Sequence, residues 1–209
     1  MQDLAASIPA RLMPTTPSRV LDLCAAPGGK TMQLAAAGHA VTALDRSESR
    51  LARLAANFAR TGLSAQMVAA DALAWSTDEP FDAVLLDAPC SATGTFRRHP
   101  EVLYRARREI IVESAELQAR MLAHAASLTR PGGVLVYAVC SLEPEEGEMV
   151  VSRFLQGNLD MRIGPVAVDE LPSGLVPAPQ GWLRIMPGML EEAGGIDGFF
   201  IARLVRSGA

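Results

Sequence analysis

Apolar and polar positions follow two periods along this chain, and the periods take turns. RVLDL at Arg19–Leu23, AVTAL at Ala40–Leu44, QMVAA at Gln66–Ala70, FDAVLL at Phe81–Leu86 and VLVYAV at Val134–Val139 are short, nearly unbroken apolar runs. Runs of that length between turn residues predict buried strands. Between them the spacing becomes helical. Gly28–Ala37 leads to a stop at Gly38, and Glu48–Thr61 follows Ser47 as N-cap, sets Leu51, Leu54, Ala55 and Phe58 on one face and ends at Gly62. Glu109–Leu128 spaces Ile110, Ser114, Leu117, Met121, Ala125 and Leu128 helically, and a further helix is expected over Glu145–Leu155. Ser91–Pro100 has no period and predicts a loop, and Pro131-Gly132-Gly133 predicts a turn into the fifth strand. Beyond Asp160 the clearest strand signal is Gly198–Leu204, and the Pro- and Gly-rich stretch Gly164–Gly181 predicts a surface connection.

Strand and helix alternating in this way predict an α/β fold: one doubly wound, mostly parallel sheet covered by helices on both faces, in a single domain over residues 1–209. Composition narrows the class further. With 49% hydrophobic and 20% charged residues the chain is neither disordered nor a disulfide scaffold. It has no apolar run of the roughly 18 residues that a membrane-spanning helix needs, and MQDLAASIPARLMP does not read as a signal peptide. Cys24, Cys90 and Cys140 are far apart, as are His39, His99 and His124, and no CxxC or HxxxH spacing occurs, so no metal site is expected. An odd cysteine count points to a reducing cytoplasm, with each thiol either a small buried hydrophobe or a working group. A net charge of −4 argues against gripping nucleic acid through overall charge.

The chemistry-bearing residues collect at strand ends. The first strand runs into Cys24-Ala25-Ala26-Pro27-Gly28-Gly29-Lys30, the second ends at Asp45, the third at Asp71, the fourth at Asp87 with Cys90, and the fifth at Cys140. Ligands of open parallel sheets bind beyond the carboxyl ends of the strands. Paired glycines before a helix let the backbone approach a ligand, while an acid at the second strand tip suits ribose hydroxyls, a combination that predicts an adenosine-containing cofactor. The pattern is neither GxGxxG nor a phosphate loop. Lys30 is the only lysine and stands at a helix start, where the dipole disfavours a cation, so a ligand contact is expected of it. His39, His124, Trp75, Trp182 and Phe199-Phe200 read as packing or surface residues.

Leu21-Asp22-Leu23-Cys24-Ala25-Ala26-Pro27-Gly28-Gly29-Lys30-Thr31, Asp87-Ala88-Pro89-Cys90-Ser91-Ala92-Thr93-Gly94, Arg97-Arg98-His99-Pro100 and Tyr137-Ala138-Val139-Cys140-Ser141 together resemble the NOL1/NOP2/Sun (RsmB-like) family of S-adenosylmethionine-dependent RNA cytosine-5 methyltransferases. The resemblance covers nearly the whole chain. It implies a class I methyltransferase (Rossmann-like) fold with an antiparallel strand near the C-terminus, and RNA, ribosomal or transfer, as partner. It also implies that Cys24, Ala25, Ala26, Pro27, Gly28, Gly29 and Lys30 wrap the methionine end and ribose of S-adenosylmethionine. Asp45 and Arg50 would serve the ribose side, Asp71 the adenine, and Asp87 both cofactor and target base. Cys140 would be the nucleophile and Cys90 the thiol that allows release. Two positions depart from the pattern: Ala138-Val139 stand where the family usually has Ser-Thr, and Pro187-Gly188 where a His often follows Pro. The family's N-terminal RNA-recognition region is expected to be absent from residues 1–209, and a monomer is favoured.

The chemistry asks for the same groups. Cytosine C5 attacks a methyl sulfonium poorly until a thiolate adds at C6 and makes C5 enamine-like. An acid such as Asp87, with a raised pKa, would stabilise that adduct at N3, and a base must then remove the C5 proton. Arg97, Arg98 and His99, with Arg105, Arg107 and Arg108, predict a phosphate-gripping patch beside the thiols. The alternative expectation is a cofactor-binding core, inactive alone, that serves as an RNA-binding or assembly module.

Overall fold

The computed structural model describes residues 2–208. Nine strands and six helices alternate in the order α1 (Leu4–Arg11), β1 (Arg19–Leu23), α2 (Gly29–Ala36), β2 (Ala40–Asp45), α3 (Glu48–Thr61), β3 (Gln66–Ala69), β4 (Phe81–Asp87), α4 (Val102–Arg105), α5 (Arg108–Leu128), β5 (Thr129–Val139), α6 (Glu148–Gly157), β6 (Met161–Ile163), β7 (Leu183–Ile185), β8 (Pro187–Leu190) and β9 (Phe199–Arg206). The sheet order is β3-β2-β1-β4-β5-β9-β6, with β7 also on β9. β1 to β5 are parallel, and β9 runs antiparallel to β5, β6 and β7. This is the doubly wound, mostly parallel sheet expected, antiparallel strand included.

The near-continuous apolar runs are explained by two covered faces. Along β1, Leu21 and Leu23 join Leu44, Phe81, Leu86, Tyr137 and the α5 residues Met121, Leu122 and Ala125 in one core. Val20 faces the other way, into a core with Ile8 of α1, Leu34 of α2, Leu85, Val136 and Ile201. On that second face α3 buries Leu51, Leu54 and Phe58 against Ala43. Its ends are those expected: the Ser47 side chain accepts from the Arg50 N–H, and Gly62 closes the helix at φ 70°. Trp75, Trp182 and Phe200 pack as aromatic pairs, with Trp75 against Phe81 and Trp182 against Phe200.

Several boundaries differ from the sequence reading, each for a physical reason. β5 begins at Thr129 rather than Val134, because Thr129 pairs with Phe81 before Arg130–Gly133 bulge out and pairing resumes at Ala83–Val134. α6 begins at Glu148 rather than Glu145, because Glu146 turns inward and its N–H bonds the Glu143 carbonyl at 3.1 Å instead. α1 and α4 had no distinct periodic signal: α1 carries Pro9 inside it, and α4 is a single turn. The connection over 164–181 holds one 3-10 turn, Val168–Glu170, and is pinned by buried Val166 and Leu175.

Candidate functional site

The chain leaves β1, winds outward through β2 and β3, and returns to the other side of β1 as β4. The carboxyl ends of β1 and β4 therefore flank the switch point, where such sheets open a crevice. A cavity of about 410 Å³ lies there, lined by Cys24, Asp45, Arg50, Asp71, Asp87, Cys90 and Cys140, with Leu73, Pro89, Leu117 and Met121 as apolar wall. A second cavity, about 510 Å³, shares Ala26, Pro27 and Asp87 with it and adds Asp22, Lys30, Asn57, Arg60 and Arg98. The strand-end residues picked from the sequence thus converge on one crevice.

The turn after β1 is held by its own backbone. Cys24 takes a left-handed conformation at φ 62°, uncommon for a residue with a side chain. Gly28 has φ 104°, and a Cβ there would be driven into Leu54 Cδ1, so only glycine fits. Asp45 is buried and accepts from the N–H groups of Ala26 (3.2 Å) and Ser47 (3.0 Å). Arg50 sits 3.4 Å from the same carboxylate and also donates to the Ala26 carbonyl. The turn, Asp45 and Arg50 are thus one cradle. Burial, then the Asp87 and Asp45 charges, push the Cys24 thiol up to about 12, which fits packing rather than thiolate chemistry. Asp71 stands exposed at the cavity edge, its carboxylate accepting the Leu73 N–H at 2.8 Å.

Lys30 and Asp87 were singled out separately, and the structure joins them: Nζ lies 2.7 Å from Oδ2. Burial alone would lower the Lys30 ammonium, but the hydrogen-bonded Asp87 carboxylate outweighs it and the net shift is upward.

Cys90 and Cys140 come from loops fifty residues apart, and their sulfurs meet at 3.5 Å. The Cys140 sulfur beside it, burial and the Glu146 charge raise the Cys90 thiol well above its usual range. Gly94 makes the approach possible. Its N–H donates to the Cys140 carbonyl at 3.0 Å, the Gly198 N–H donates to its carbonyl at 2.8 Å, and an added Cβ would strike the Gly198 backbone.

Two acids in the site escaped the sequence reading. Asp22, inside β1, is 1% exposed. Thr31 Oγ1 donates to its Oδ2 at 2.6 Å, while Oδ1 has no partner. Burial raises its pKa to about 7. The signal was an acid within an otherwise apolar buried strand. Glu146 is fully buried between the two thiol loops; in the sequence it hides inside an acidic run that reads as solvated.

The arginine patch is divided differently from the expectation. Asp197 is completely buried and must be paired. Arg98 forks onto it, with Nε at 2.9 Å and Nη2 at 2.5 Å from Oδ2, while Arg97 Nη2 lies 2.9 Å from Asp3. These two cations tie the thiol loop to the chain's two ends instead of lying free. His99 stays exposed, 3.3 Å from Glu101. Arg105, Arg107 and Arg108 are exposed and form no ion pair among the described residues. Among the described residues no cluster of three or more His, Cys, Asp or Glu has metal-binding geometry, and no helix is long and apolar enough to cross a membrane.

A family model described as 16S rRNA methyltransferase RsmB/F matches residues 9–205. The ribosomal RNA small subunit methyltransferase B of Klebsiella pneumoniae is 42% identical over 200 residues, covering 93% of this chain and 43% of that protein. Its counterpart from Xylella fastidiosa is 43% identical over 213 residues, covering 99% of this chain and 47% of that protein. The chain thus spans less than half the length of these curated relatives. Among solved structures, NSun6 from Pyrococcus horikoshii with SFG superposes at a TM-score of 0.86 and 29% identity, over 100% of this chain and 53% of that one. The strand order and these likenesses define a class I methyltransferase fold.

Proposed function

The chain belongs to the RsmB/F family of 16S rRNA methyltransferases, and from that premise we propose that it transfers a methyl group from S-adenosylmethionine to C5 of a cytosine in RNA, ribosomal in the first instance, through a covalent cysteine–C6 adduct. The observation that carries this reading is the pair of thiols, 3.5 Å apart, in one cavity with Asp45, Asp71 and Asp87. Methylation at nitrogen needs no covalent adduct and would leave both thiols without a task.

The cavity fits the cofactor in its donors and its wall. Asp45 keeps lone pairs for ribose hydroxyls beyond the backbone bonds it accepts, Asp71 stands at the rim for adenine, and Leu73, Pro89, Leu117 and Met121 offer a flat apolar wall. When bound, S-adenosylmethionine supplies an electrophilic methyl group on a sulfonium.

The chain's own residues do the rest. The Cys140 thiolate adds to C6 of the target base, forming the S–C6 bond and shifting electron density onto C5 and N3. The Lys30–Asp87 pair presents an ammonium donor to the ring nitrogen side and a carboxylate acceptor to the exocyclic amino group. After C5 has been methylated, a base takes the C5 proton, the double bond re-forms, and the Cys140–C6 bond breaks with the Cys90 thiol, 3.5 Å from the leaving sulfur, assisting release. The base must be unstacked to reach the cavity, as in single-stranded or flipped-out positions. Arg105, Arg107 and Arg108 are the free cations for backbone phosphate, with His99 beside them.

The test uses two variants. Cys140→Ala is expected to bind cofactor and transfer no methyl, whereas Cys90→Ala is expected to accumulate a covalent RNA–protein adduct visible on a denaturing gel. Wild-type turnover by both variants would overturn the two-thiol reading. A second reading, a cofactor-binding core that is inactive alone and supports RNA assembly, draws on the chain spanning less than half of its relatives. It expects cofactor binding without methyl transfer by the wild-type chain.

A further inference from the structure

Cys90 and Cys140 are brought together by a group that touches neither sulfur. The Glu146 carboxylate is fully buried, with four donors around it. Oε1 accepts from the Ser91 N–H at 2.9 Å and from Gln118 Nε2 at 3.0 Å. Oε2 accepts from Ser141 Oγ at 2.5 Å and from Ser91 Oγ. Ser91 follows Cys90, and Ser141 follows Cys140. The carboxylate therefore grips the residue next to each thiol. Its own position is fixed from behind, since its backbone carbonyl accepts from the Tyr137 hydroxyl at 2.6 Å. Among the described residues no cation forms an ion pair with it: Arg184 is paired with Glu148 and donates to the Ser141 carbonyl.

A buried carboxylate held by neutral donors alone is a costly arrangement, and an amide or an apolar pair would pin two loops more cheaply. What only the carboxylate adds is negative charge beside the thiols, which raises the Cys90 thiol. We propose that Glu146 is a positioning residue that clamps the Cys90 and Cys140 loops through Ser91 and Ser141 and keeps a fixed negative charge at Cys90. This rests on reading the two cysteines as the working thiols. The charge opposes ionisation of Cys90, which keeps that sulfur the protonated partner of the Cys140 nucleophile. The groups acting on Cys90 are Cys140, just past β5, Tyr137 in β5, the Ala92 backbone and Glu146, with Asp87 lining the same cavity. Among the acids of the set, Asp87 is neutralised by an ammonium and Glu146 is not.

The geometry allows charge and shape to be separated. In Glu146→Gln, Oε1 keeps the two fixed donors, Ser91 N–H and Gln118, while the new amide nitrogen faces two serine hydroxyls that can turn to accept. The clamp survives and the charge is gone. Glu146→Ala removes both. The readout is the pH dependence of iodoacetamide alkylation at each cysteine, followed by mass spectrometry, with methyl transfer to rRNA alongside. In Glu146→Gln the alkylation midpoint of Cys90 is expected to fall by half a pH unit or more. In Glu146→Ala methyl transfer is expected to drop on the order of 100-fold, as misplacement of reacting groups by about an ångström does. Glu148→Gln, which removes a neighbouring carboxylate outside the clamp, is expected to leave the Cys90 midpoint in place. An unchanged midpoint in Glu146→Gln, or an equal shift in Glu148→Gln, would overturn the proposal. If the wild-type chain methylates no RNA while the midpoint still moves in Glu146→Gln alone, the reading of function fails and the role of Glu146 stands.

Discussion

Around β1 and β2 the rim of the crevice is made by neighbours in sequence. The turn from Cys24 to Lys30 is shaped by its own dihedral angles, and Asp45, Ser47 and Arg50 follow one another along six residues of chain. Around β4 and β5 the rim is made by strangers. Cys90 and Cys140 are joined by Glu146, roofed by Gly94 against Gly198, and tied outward by Arg97 and Arg98 to Asp3 and Asp197. The cradle is local and backbone-built; the thiol half is a knot of long-range contacts, several involving buried charge. A local cradle tolerates change elsewhere in the chain, whereas the knot depends on every strand that feeds it.

The strongest way to break that contrast is Gly94→Ala. The added methyl meets the Gly198 backbone, which has no flexible end to move aside. A loss of roughly 3 kcal/mol or more is expected in denaturant unfolding, from overpacking, together with altered Cys90 and Cys140 alkylation. Cofactor binding by the surviving folded fraction would stay near wild type if the cradle is independent; loss of both in parallel would merge the two halves into one unit.

Asp22 tests the cradle side by pH. Its folded-state pKa is raised from 3.8 to about 7, so between those values the folded protein binds more protons than the unfolded chain. Stability must therefore fall as pH rises through that window, by roughly 2 kcal/mol between pH 5 and 8. Asp22→Asn, which keeps an acceptor for Thr31, is expected to flatten that part of the slope in thermal melts at a series of pH values. An unaltered slope would mean that the carboxyl is already ionised in the folded state.

The smallest effect sharpens the division of the arginines. Arg97 is 36% exposed in its pair with Asp3, so Arg97→Gln is expected to cost about 0.5 to 1 kcal/mol, less at high salt, and to leave the salt dependence of RNA binding as it was. Arg105→Gln should do the reverse, leaving stability alone and lowering the salt slope by about one. Swapped outcomes would return Arg97 to the RNA surface.

What could be seen in the sequence follows the same division. The cradle was legible because strand ends, glycines and Asp45 lie in one contiguous pattern. So was the presence of two thiols on the rim, since each directly follows a strand or its short extension. Their contact was not, because a 3.5 Å meeting across fifty residues depends on loop conformation. Glu146 fell within the expected helix from Glu145, and nothing in an acidic run says which acid turns inward. Asp3 and Asp197 find each other only once the two ends of the chain converge. The short strands β6 and β7 were indistinct because their partner is a distant strand rather than a hairpin neighbour.

The strand order also sets a timetable. β9 is the last strand in the chain, yet it lies inside the sheet, between β5 and β6, and β6 has no other partner. The β3-β2-β1-β4-β5 block can form without β9, because those strands are consecutive in sequence and pair with one another. β6 must wait, unpaired, until β9 slots in beside it, and the Gly198 bond that roofs the Cys90 loop arrives with the same segment. The cradle side of the crevice can therefore take shape without β9, whereas the thiol side is complete only when β9 and Gly198 are in place.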